Sequence, residues 1–327
     1  MPMMEYIDAI RLAMKEEMER DEDVFVLGED VGLKGGVFTT TKGLIEQFGE
    51  ERVMDTPLAE SAIVGTAIGA AMYGMKPIAE MQYSDFMFPA TNQIISEAAK
   101  IRYRSNNDWT CPLVIRAPIG GGIFGGLYHS QCPESVFLGT PGLKIVVPFT
   151  AYDAKGLLKA AVRDPDPVIF FENKKCYKLV VGDVPEEDYT VPIGVANVLR
   201  EGDDITVISY SLPLHFALEA AEELAQEGIN AHILDLRTLQ PLDKEGVLAA
   251  ARRTGKVLII HEDNKFGGVG AEVSAIIAEE MLFELDAPIM RLCGPDVPAM
   301  PINPPGEKFF MLNKEKVKEA MRNLALY

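Results

Sequence analysis

Paired cysteines, long apolar runs and an excess of basic residues are all missing from this sequence of 327 residues. Its four cysteines lie far apart without a C-x-x-C pair, which argues against a disulfide scaffold or a zinc ribbon and favours a reducing compartment. The longest weakly polar run, residues 61–75, is too short and too rich in glycine to span a bilayer. Because the N-terminal segment has no apolar core typical of a signal peptide, we expect a cytoplasmic protein.

The charge is strongly acidic, with 49 acidic and 31 basic side chains and a formal net charge of −18. Nucleic acids and anionic membranes bind clustered Lys and Arg, so this balance argues against both kinds of partner. The hydrophobic fraction of 48% excludes a disordered or fibrous chain. The length exceeds one ordinary hydrophobic core, and two domains are therefore expected.

Several motifs that would identify a chemistry are absent. The sequence has no G-x-x-x-x-G-K-[ST], G-x-S-x-G or H-E-x-x-H, and no cluster of residues has the spacing of metal ligands. The segment FGGVGAEV (266–273) follows a predicted strand and opens a predicted helix, but Val273 stands where a dinucleotide site needs Gly or Ala. This broken pattern argues against an NAD or flavin oxidoreductase.

The first half of the chain contains short apolar runs bounded by Pro and Gly. Such runs are typical of strands buried on both faces of a parallel sheet, and they are found at residues 24–31, 77–83, 112–118, 143–148 and 167–172. Amphipathic spacing predicts a helix over residues 4–20. An acidic, proline-containing stretch at 177–194 is the expected linker.

The second half alternates regularly between strand and helix patterns, which predicts an open α/β domain. The predicted strands are 205–211, 231–238, 256–263 and 287–294. The predicted helices are 217–228, 244–255, 270–285 and 313–326.

Glu60 is the first candidate functional residue. Thr56 and Pro57 predict an N-cap and a first helical turn, which places Glu60 near the start of an apolar helix. A carboxylate there can simply stabilise the helix N-terminus, and spacing alone favours that interpretation. The alternative is a partly buried acid for proton transfer, which gains support because the residues after Glu60 are apolar or small.

His129 and an aromatic segment are the next candidates. Five glycines lie between residues 119 and 134, around a Tyr-His-Ser-Gln sequence, and they indicate a tightly bent loop. His129 is either solvated there or handles a proton, and composition does not separate the two. The segment QYSDFMF (82–88) is either core packing or an aromatic wall for a heteroaromatic ring.

Several longer motifs occur in order along the chain, and together they suggest a family. They are LGEDVGLKGGVF, RVMDTPLAESAIVGTAIGAA, EAAKIRYRS, LYHSQCPE, PGLKIVVP, DAKGLLKAA and DLRTLQPLD. Through these motifs the chain resembles the β subunit of the thiamine-diphosphate-dependent E1 component of 2-oxo acid dehydrogenase complexes. The resemblance extends over almost the whole length of the chain. The resemblance implies a transketolase-type pyrimidine-binding domain, a parallel sheet with helices on both faces, at residues 1–186. A transketolase C-terminal α/β domain is implied at residues 187–327.

The resemblance also assigns roles to single residues. Glu60 matches the glutamate that contacts N1′ of the cofactor's aminopyrimidine and shares a proton with it. His129 matches a histidine that faces the substrate and the thiazolium side. The implied cofactor pocket also includes Phe86, which stands where the family often has a stacking Tyr, together with Leu58 and Gln82.

Metal ions are implied at two places. Leu113 and Asp164 fall near a family site for potassium. The family holds the diphosphate through Mg²⁺ with a G-D-G segment, which this sequence lacks. We therefore expect the diphosphate and Mg²⁺ on a separate α subunit, in an α₂β₂ assembly with active sites at α–β interfaces.

The implied activity is decarboxylation of a 2-oxo acid and reductive acylation of the lipoyl group of an E2 acyltransferase. The segments IVGTAIGAAMYG, FMFPATNQIISEAAKIRYRS and HSQCPES look more like the branched-chain member than the pyruvate member. Pyruvate or acetoin is the alternative substrate. A non-catalytic assembly subunit is the alternative of another class, and the presence of both Glu60 and His129 argues against it.

Overall fold

The computed structural model describes residues 2–327, which cluster into two compact units. Unit 1 is formed by the chain up to residue 119 and by residues 139–193, whereas unit 2 is formed by residues 120–138 and 194–327. Unit 2 therefore includes a segment that lies, along the chain, inside the sequence of unit 1. The domain boundary expected between residues 186 and 187 stays a prediction.

Strands and helices alternate along most of the described chain. The strands are β1 (Met3–Glu5), β2 (Val24–Gly28), β3 (Val53–Asp55), β4 (Lys76–Glu80), β5 (Val114–Ile119), β6 (Lys144–Val146), β7 (Val168–Asn173), β8 (Val181–Asp183), β9 (Asn197–Arg200), β10 (Ile205–Ser209), β11 (Ala231–Asp235), β12 (Thr238–Gln240), β13 (Val257–Asn264) and β14 (Met290–Gly294). The helices are α1 (Tyr6–Arg20), α2 (Leu44–Phe48), α3 (Glu60–Met72), α4 (Ile101–Arg104), α5 (Glu134–Leu138), α6 (Ala151–Arg163), α7 (Cys176–Leu179), α8 (Pro213–Gln226), α9 (Lys244–Thr254), α10 (Val269–Met281), α11 (Pro304–Phe310) and α12 (Lys314–Ala325). No helix in the described chain is both long and apolar enough to cross a membrane.

Unit 1 is built on a parallel sheet, as its apolar runs predict. Six of its strands lie in the order β6-β7-β5-β4-β2-β3, and every residue of β2, β5 and β7 is buried. After β2 the chain moves outward to β3, and it then returns through α3 to β4 on the other side of β2. This reversal makes the carboxyl edge between β2 and β4 a topological switch point, the usual ligand-binding crevice of an open α/β sheet.

Unit 1 differs from the pattern-based expectation at several elements, among them β2 and α6. The strand predicted over 24–31 ends at Gly28, and the chain then enters a loop. No helix is predicted over α6, because its buried face includes Lys155 and Lys159, which are 0% and 1% exposed. Both ammonium groups pair with Glu16 of α1, and Lys159 also pairs with Asp188, so two carboxylates balance the two positive charges.

Unit 2 confirms the predicted alternation. Its sheet has the order β14-β13-β10-β11-β9, in which β9 is an antiparallel edge strand and the other four are parallel. The sequence β10-α8-β11-α9-β13-α10-β14-α12 follows the expected order. The Asp243 side chain caps α9 by accepting the Gly246 N–H, and α9 ends at Gly255, whose φ of 64° suits glycine. The short elements β9, β12, α5 and α11 are not predicted.

Candidate active site

The loops that follow β2 and β3 are tied together at the carboxyl edge of the unit 1 sheet. The Thr56 N–H donates to the Gly28 carbonyl at 2.9 Å, and the Gly32 N–H donates to Asp55 Oδ1 at 2.7 Å. A Cβ atom at Gly32 would lie only 2.6 Å from Asp55 Oδ2, so this close approach requires glycine. The contacts fix the path of the chain from β3 to α3.

Glu60 is the first residue of α3 and is half-buried. The prediction that Thr56 caps this helix is wrong, because the N-cap residue is Ala59, which makes no side-chain capping bond. Thr56 instead joins the two loops through its N–H. The Glu60 carboxylate therefore lies in the first turn of a mostly apolar helix, where the helix dipole favours negative charge.

Glu29 is a second acid at this edge, and the sequence analysis misses it. It directly follows β2 and is only 4% exposed, and neither of its carboxylate oxygens has a hydrogen-bond partner among residues 2–327. Burial, together with the smaller effect of the negative charges of Glu60 and Asp30, raises the pKa of Glu29 to about 7. A glutamate placed directly after a buried apolar strand, as in VFVLGED, is the signal that could have identified it.

The other predicted pocket residues follow neighbouring elements of the same edge. Gly28 pairs with Glu80 across β2 and β4, and Gln82, which is half-buried, lies two residues after Glu80 at the same edge. Phe86 lies in a 3₁₀ helix after β4 and packs edge-on against Tyr83, with ring centroids 5.8 Å apart.

Leu58 lies in the turn before α3 and is 80% exposed. It therefore leaves an exposed apolar side chain two residues before Glu60.

A buried ion cluster, which we call the Arg116 cluster (Arg116, Glu80, Glu172 and Tyr177), supports this edge. The Arg116 guanidinium donates two bonds to Glu172, at 2.6 and 2.9 Å, and one to Glu80 at 2.6 Å. Tyr177 donates its hydroxyl proton to Glu172 at 2.7 Å. All four residues are at most 5% exposed, so the cluster fixes the ends of β4, β5 and β7 from inside the sheet.

His129 belongs to unit 2, in the glycine-rich segment 120–131 that we call the histidine loop. The residue is half-buried and directly follows a short 3₁₀ helix, Gly126–Tyr128. A Cβ atom at Gly125 would lie 2.7 Å from the Cβ of His129, so glycine is needed where the loop bends around the imidazole. The tight bend expected from the five glycines is therefore present.

Leu113 and Asp164, the residues predicted near a potassium ion, are already engaged with other groups. The Leu113 carbonyl accepts the Val168 N–H at 2.9 Å. Both oxygens of Asp164 accept from the Lys144 ammonium at 2.6 Å, and Oδ1 also accepts the Asp166 N–H. Since a lysine already neutralises the Asp164 carboxylate, the side chains do not fit a potassium ion well, and the assignment stays a prediction. The described residues also contain no group of three or more His, Cys, Asp or Glu placed to hold a metal ion.

Comparison with known families matches both halves of the chain. Residues 2–179 match the family described as the transketolase pyrimidine binding domain, and residues 194–317 match the transketolase C-terminal domain. A solved structure described as a split-gene transketolase, an inactive β4 tetramer, has a TM-score of 0.79 and 25% identity, covering 98% of each chain. The fold expected from the resemblance is thereby confirmed.

Individual proteins are more similar still. The 2-oxoisovalerate dehydrogenase subunit β of Bacillus subtilis (strain 168) is 69% identical over 99% of this chain and 99% of its own length. A mitochondrial 2-oxoisovalerate dehydrogenase subunit β of Arabidopsis thaliana is 46% identical over 99% of this chain and 90% of its own. The pyruvate dehydrogenase E1 component subunit β of Bacillus subtilis (strain 168) is 42% identical over 99% of both chains.

Proposed function

The chain belongs to the family of β subunits of 2-oxo acid dehydrogenases, and from this premise we propose that it is the E1 β subunit acting on branched-chain 2-oxo acids. With an α subunit it decarboxylates the substrate on thiamine diphosphate and reductively acylates the lipoyl group of E2. The higher identity to a 2-oxoisovalerate subunit than to a pyruvate subunit from the same organism supports the branched-chain substrate.

The observation that carries the proposal is the pair of acids Glu29 and Glu60 at the switch point. The Glu29 carboxylate is buried without a hydrogen-bond partner in the described residues and has a pKa raised to about 7, while Glu60 is more exposed beside it. A ring nitrogen that accepts a proton fits such a pair better than an anion does. The residues therefore fit the pyrimidine half of thiamine diphosphate.

Thiamine diphosphate, when bound, supplies the carbon nucleophile and the electron sink that decarboxylation of a 2-oxo acid requires. Glu60 would share a proton with N1′ of the pyrimidine, and the buried Glu29, whose pKa is raised to about 7, would gain or lose a proton nearby at neutral pH. Phe86 offers a flat face to the ring, and Leu58 and Gln82 line the pocket. His129 faces the substrate, where it holds or donates a proton to the reacting oxygen.

The assembly is part of the same proposal. The diphosphate and Mg²⁺ bind the α subunit in an α₂β₂ heterotetramer, since this chain lacks the G-D-G segment. A related split transketolase chain is described as an inactive β4 tetramer, and we likewise expect this chain to be inactive without α. The complex operates with E2 in the cytoplasm.

Glu60→Gln tests the proposed mechanism in the reconstituted α₂β₂ enzyme. Because a positioned acid contributes about 10²–10⁴-fold, we expect kcat for decarboxylation to fall by at least about 10²-fold while the heterotetramer still assembles. Glu46→Gln is the matched control, since Glu46 is an exposed glutamate in the first turn of α2. Near-normal turnover of Glu60→Gln would remove the assignment of Glu60 and favour the assembly-subunit alternative.

The substrate is tested by comparing kcat/KM for 3-methyl-2-oxobutanoate and pyruvate in the same preparation. We expect the branched acid to be preferred by at least about tenfold, because burying its extra methyl groups contributes to transition-state binding. Equal or better use of pyruvate would overturn the branched-chain substrate and leave the thiamine chemistry unaffected.

A further inference from the structure

The histidine loop has a backbone that must be held in place. Positive φ angles occur at Gly120, Gly122, Phe124 and Gly126, with values of 86°, 87°, 57° and 65°. Glycine tolerates such angles, but Phe124 does not do so without strain. A loop with this much glycine samples many conformations unless other groups restrain it, so a single arrangement around His129 needs external contacts.

Two buried carboxylates of unit 2 supply those contacts. Glu262, on β13, accepts the Gly121 N–H at 2.7 Å. Glu307, on α11, accepts the Gly122 N–H at 2.6 Å and the Phe124 N–H at 3.2 Å, both through Oε1. The two acids are 7% and 3% exposed. Hydrogen bonds from N–H groups to a carboxylate are stronger than those to a neutral acceptor, and burial strengthens them further.

The segment before Glu307 also packs directly on the loop. A Cβ atom at Gly121 would lie 2.3 Å from the Sδ of Met300, and one at Gly126 would lie 3.2 Å from the Cβ of Ile302. Residues 300–307 therefore contact the loop at several points on one side. The Glu307 carboxylate adds the polar restraint that apolar packing cannot give, because it fixes the direction of two backbone N–H groups.

We propose that Glu307, supported by Glu262, is a positioning residue that holds the histidine loop in the conformation that presents His129. The inference rests on the proposed function, because it assumes that His129 acts on the substrate. Glu307 itself contacts backbone N–H groups of the loop, so its effect on the reaction passes through the loop. Displacing a reacting group by about 1 Å can reduce a rate by about 10²-fold.

The first test measures loop order directly. Glu307→Ala, Glu307→Gln and the control Glu315→Gln, an exposed glutamate on α12, are each assembled into α₂β₂. Amide hydrogen exchange is measured by mass spectrometry. In Glu307→Ala we expect it to be at least about tenfold faster across residues 120–128, because two backbone N–H groups lose their acceptor. Glu307→Gln keeps an acceptor oxygen, so its exchange rate should lie between those of the wild type and Glu307→Ala. The exchange rate of Glu315→Gln should match that of the wild type. Unchanged exchange in an assembled Glu307→Ala enzyme would overturn the proposal.

The second test asks whether the effect on activity passes through His129. We expect Glu307→Ala to lower kcat by about 10- to 100-fold, and the double variant with His129→Ala to be no slower than His129→Ala alone. Losses that multiply in the double variant would overturn the proposal, since Glu307 would then act independently of His129. Full activity of His129→Ala would instead refute the proposed role of His129, and the exchange measurement would still decide whether Glu307 holds the loop.

Discussion

Two pairs of glutamates lie in unit 1, and they differ in how their charge is balanced. Glu80 and Glu172 share the guanidinium of Arg116 through three hydrogen bonds. Glu29 and Glu60 have no such cation, and Glu29 has no hydrogen-bond partner within residues 2–327. Glu29 is as buried as Glu80 and Glu172, all three being at most 5% exposed, so burial alone does not explain the difference.

The comparison separates a structural role from a functional one. A buried carboxylate bound to a guanidinium is held in one position, which suits a support for the sheet. A buried carboxylate without a cation gains or loses its proton near neutral pH, and that costs stability unless another molecule makes use of it. Glu29 and Glu60, the pair without a cation, are therefore the better candidates for chemistry.

The largest effect is expected from breaking the compensated cluster. Arg116→Met leaves two buried carboxylates facing each other, and we expect the free energy of unfolding to fall by about 3–5 kcal/mol. Arg116→Lys keeps the charge but loses the planar fork, so its loss should be smaller. Calorimetric or denaturant unfolding of both variants measures the difference. Wild-type stability of Arg116→Met would remove the structural role assigned to this cluster.

An intermediate effect, opposite in sign, is expected from Glu29→Gln. The folded chain binds the Glu29 proton more tightly than the unfolded chain, because its pKa rises from 4.5 to about 7 on folding. Stability is therefore full below about pH 4.5 and falls as pH rises towards 7. Glu29→Gln does not lose stability in this way. At pH 8 its free energy of unfolding should therefore exceed that of the wild type by about 1–2 kcal/mol, after allowing for solvent screening.

The pH dependence gives the Glu29 experiment its own control. Near pH 5 the wild type and Glu29→Gln should have similar unfolding free energies, because Glu29 is protonated in the folded chain there. Unfolding curves at both pH values decide the matter. A difference that stays the same at pH 5 and pH 8 would show that the gain does not come from the charge of Glu29.

The smallest effect is expected at Lys144 and Asp164, a compensated pair that solvent partly reaches. Their side chains are 28% and 14% exposed, so screening weakens the interaction. Lys144→Met should lower the free energy of unfolding by about 1 kcal/mol, well below the loss at Arg116. A loss as large as that of Arg116→Met would show that the contribution of these ion pairs to stability does not increase with their burial.

Much of the fold follows from local patterns, and the exceptions have physical causes. The apolar strands of unit 1 and the alternation in unit 2 are predicted because each pattern depends on neighbours along the chain. Helix α6 is not predicted, since its buried Lys155 and Lys159 look like surface residues until Glu16 of another helix pairs with them. Residues 84–104 form several short 3₁₀, π and α turns around Pro89, and no regular period predicts them.

The site was only partly predictable for a similar reason. Glu60 and His129 are found through motifs, and their roles stay predictions. Glu29 lies in a quoted motif yet is passed over, because its lack of a counter-ion depends on the strand order β4-β2-β3. Glu307 has no motif at all, since its partners, Gly122 and Phe124, lie more than 180 residues away in the sequence.

That separation has a consequence for synthesis of the chain. A ribosome releases the histidine loop long before β13 and α11 exist, so the loop emerges without the two acceptors that later fix it. Contacts that close such long stretches of chain form late and slowly. We therefore expect the histidine loop to be completed among the final events of folding, and a nascent chain that stops short of Glu307 lacks the carboxylate that holds the loop around His129.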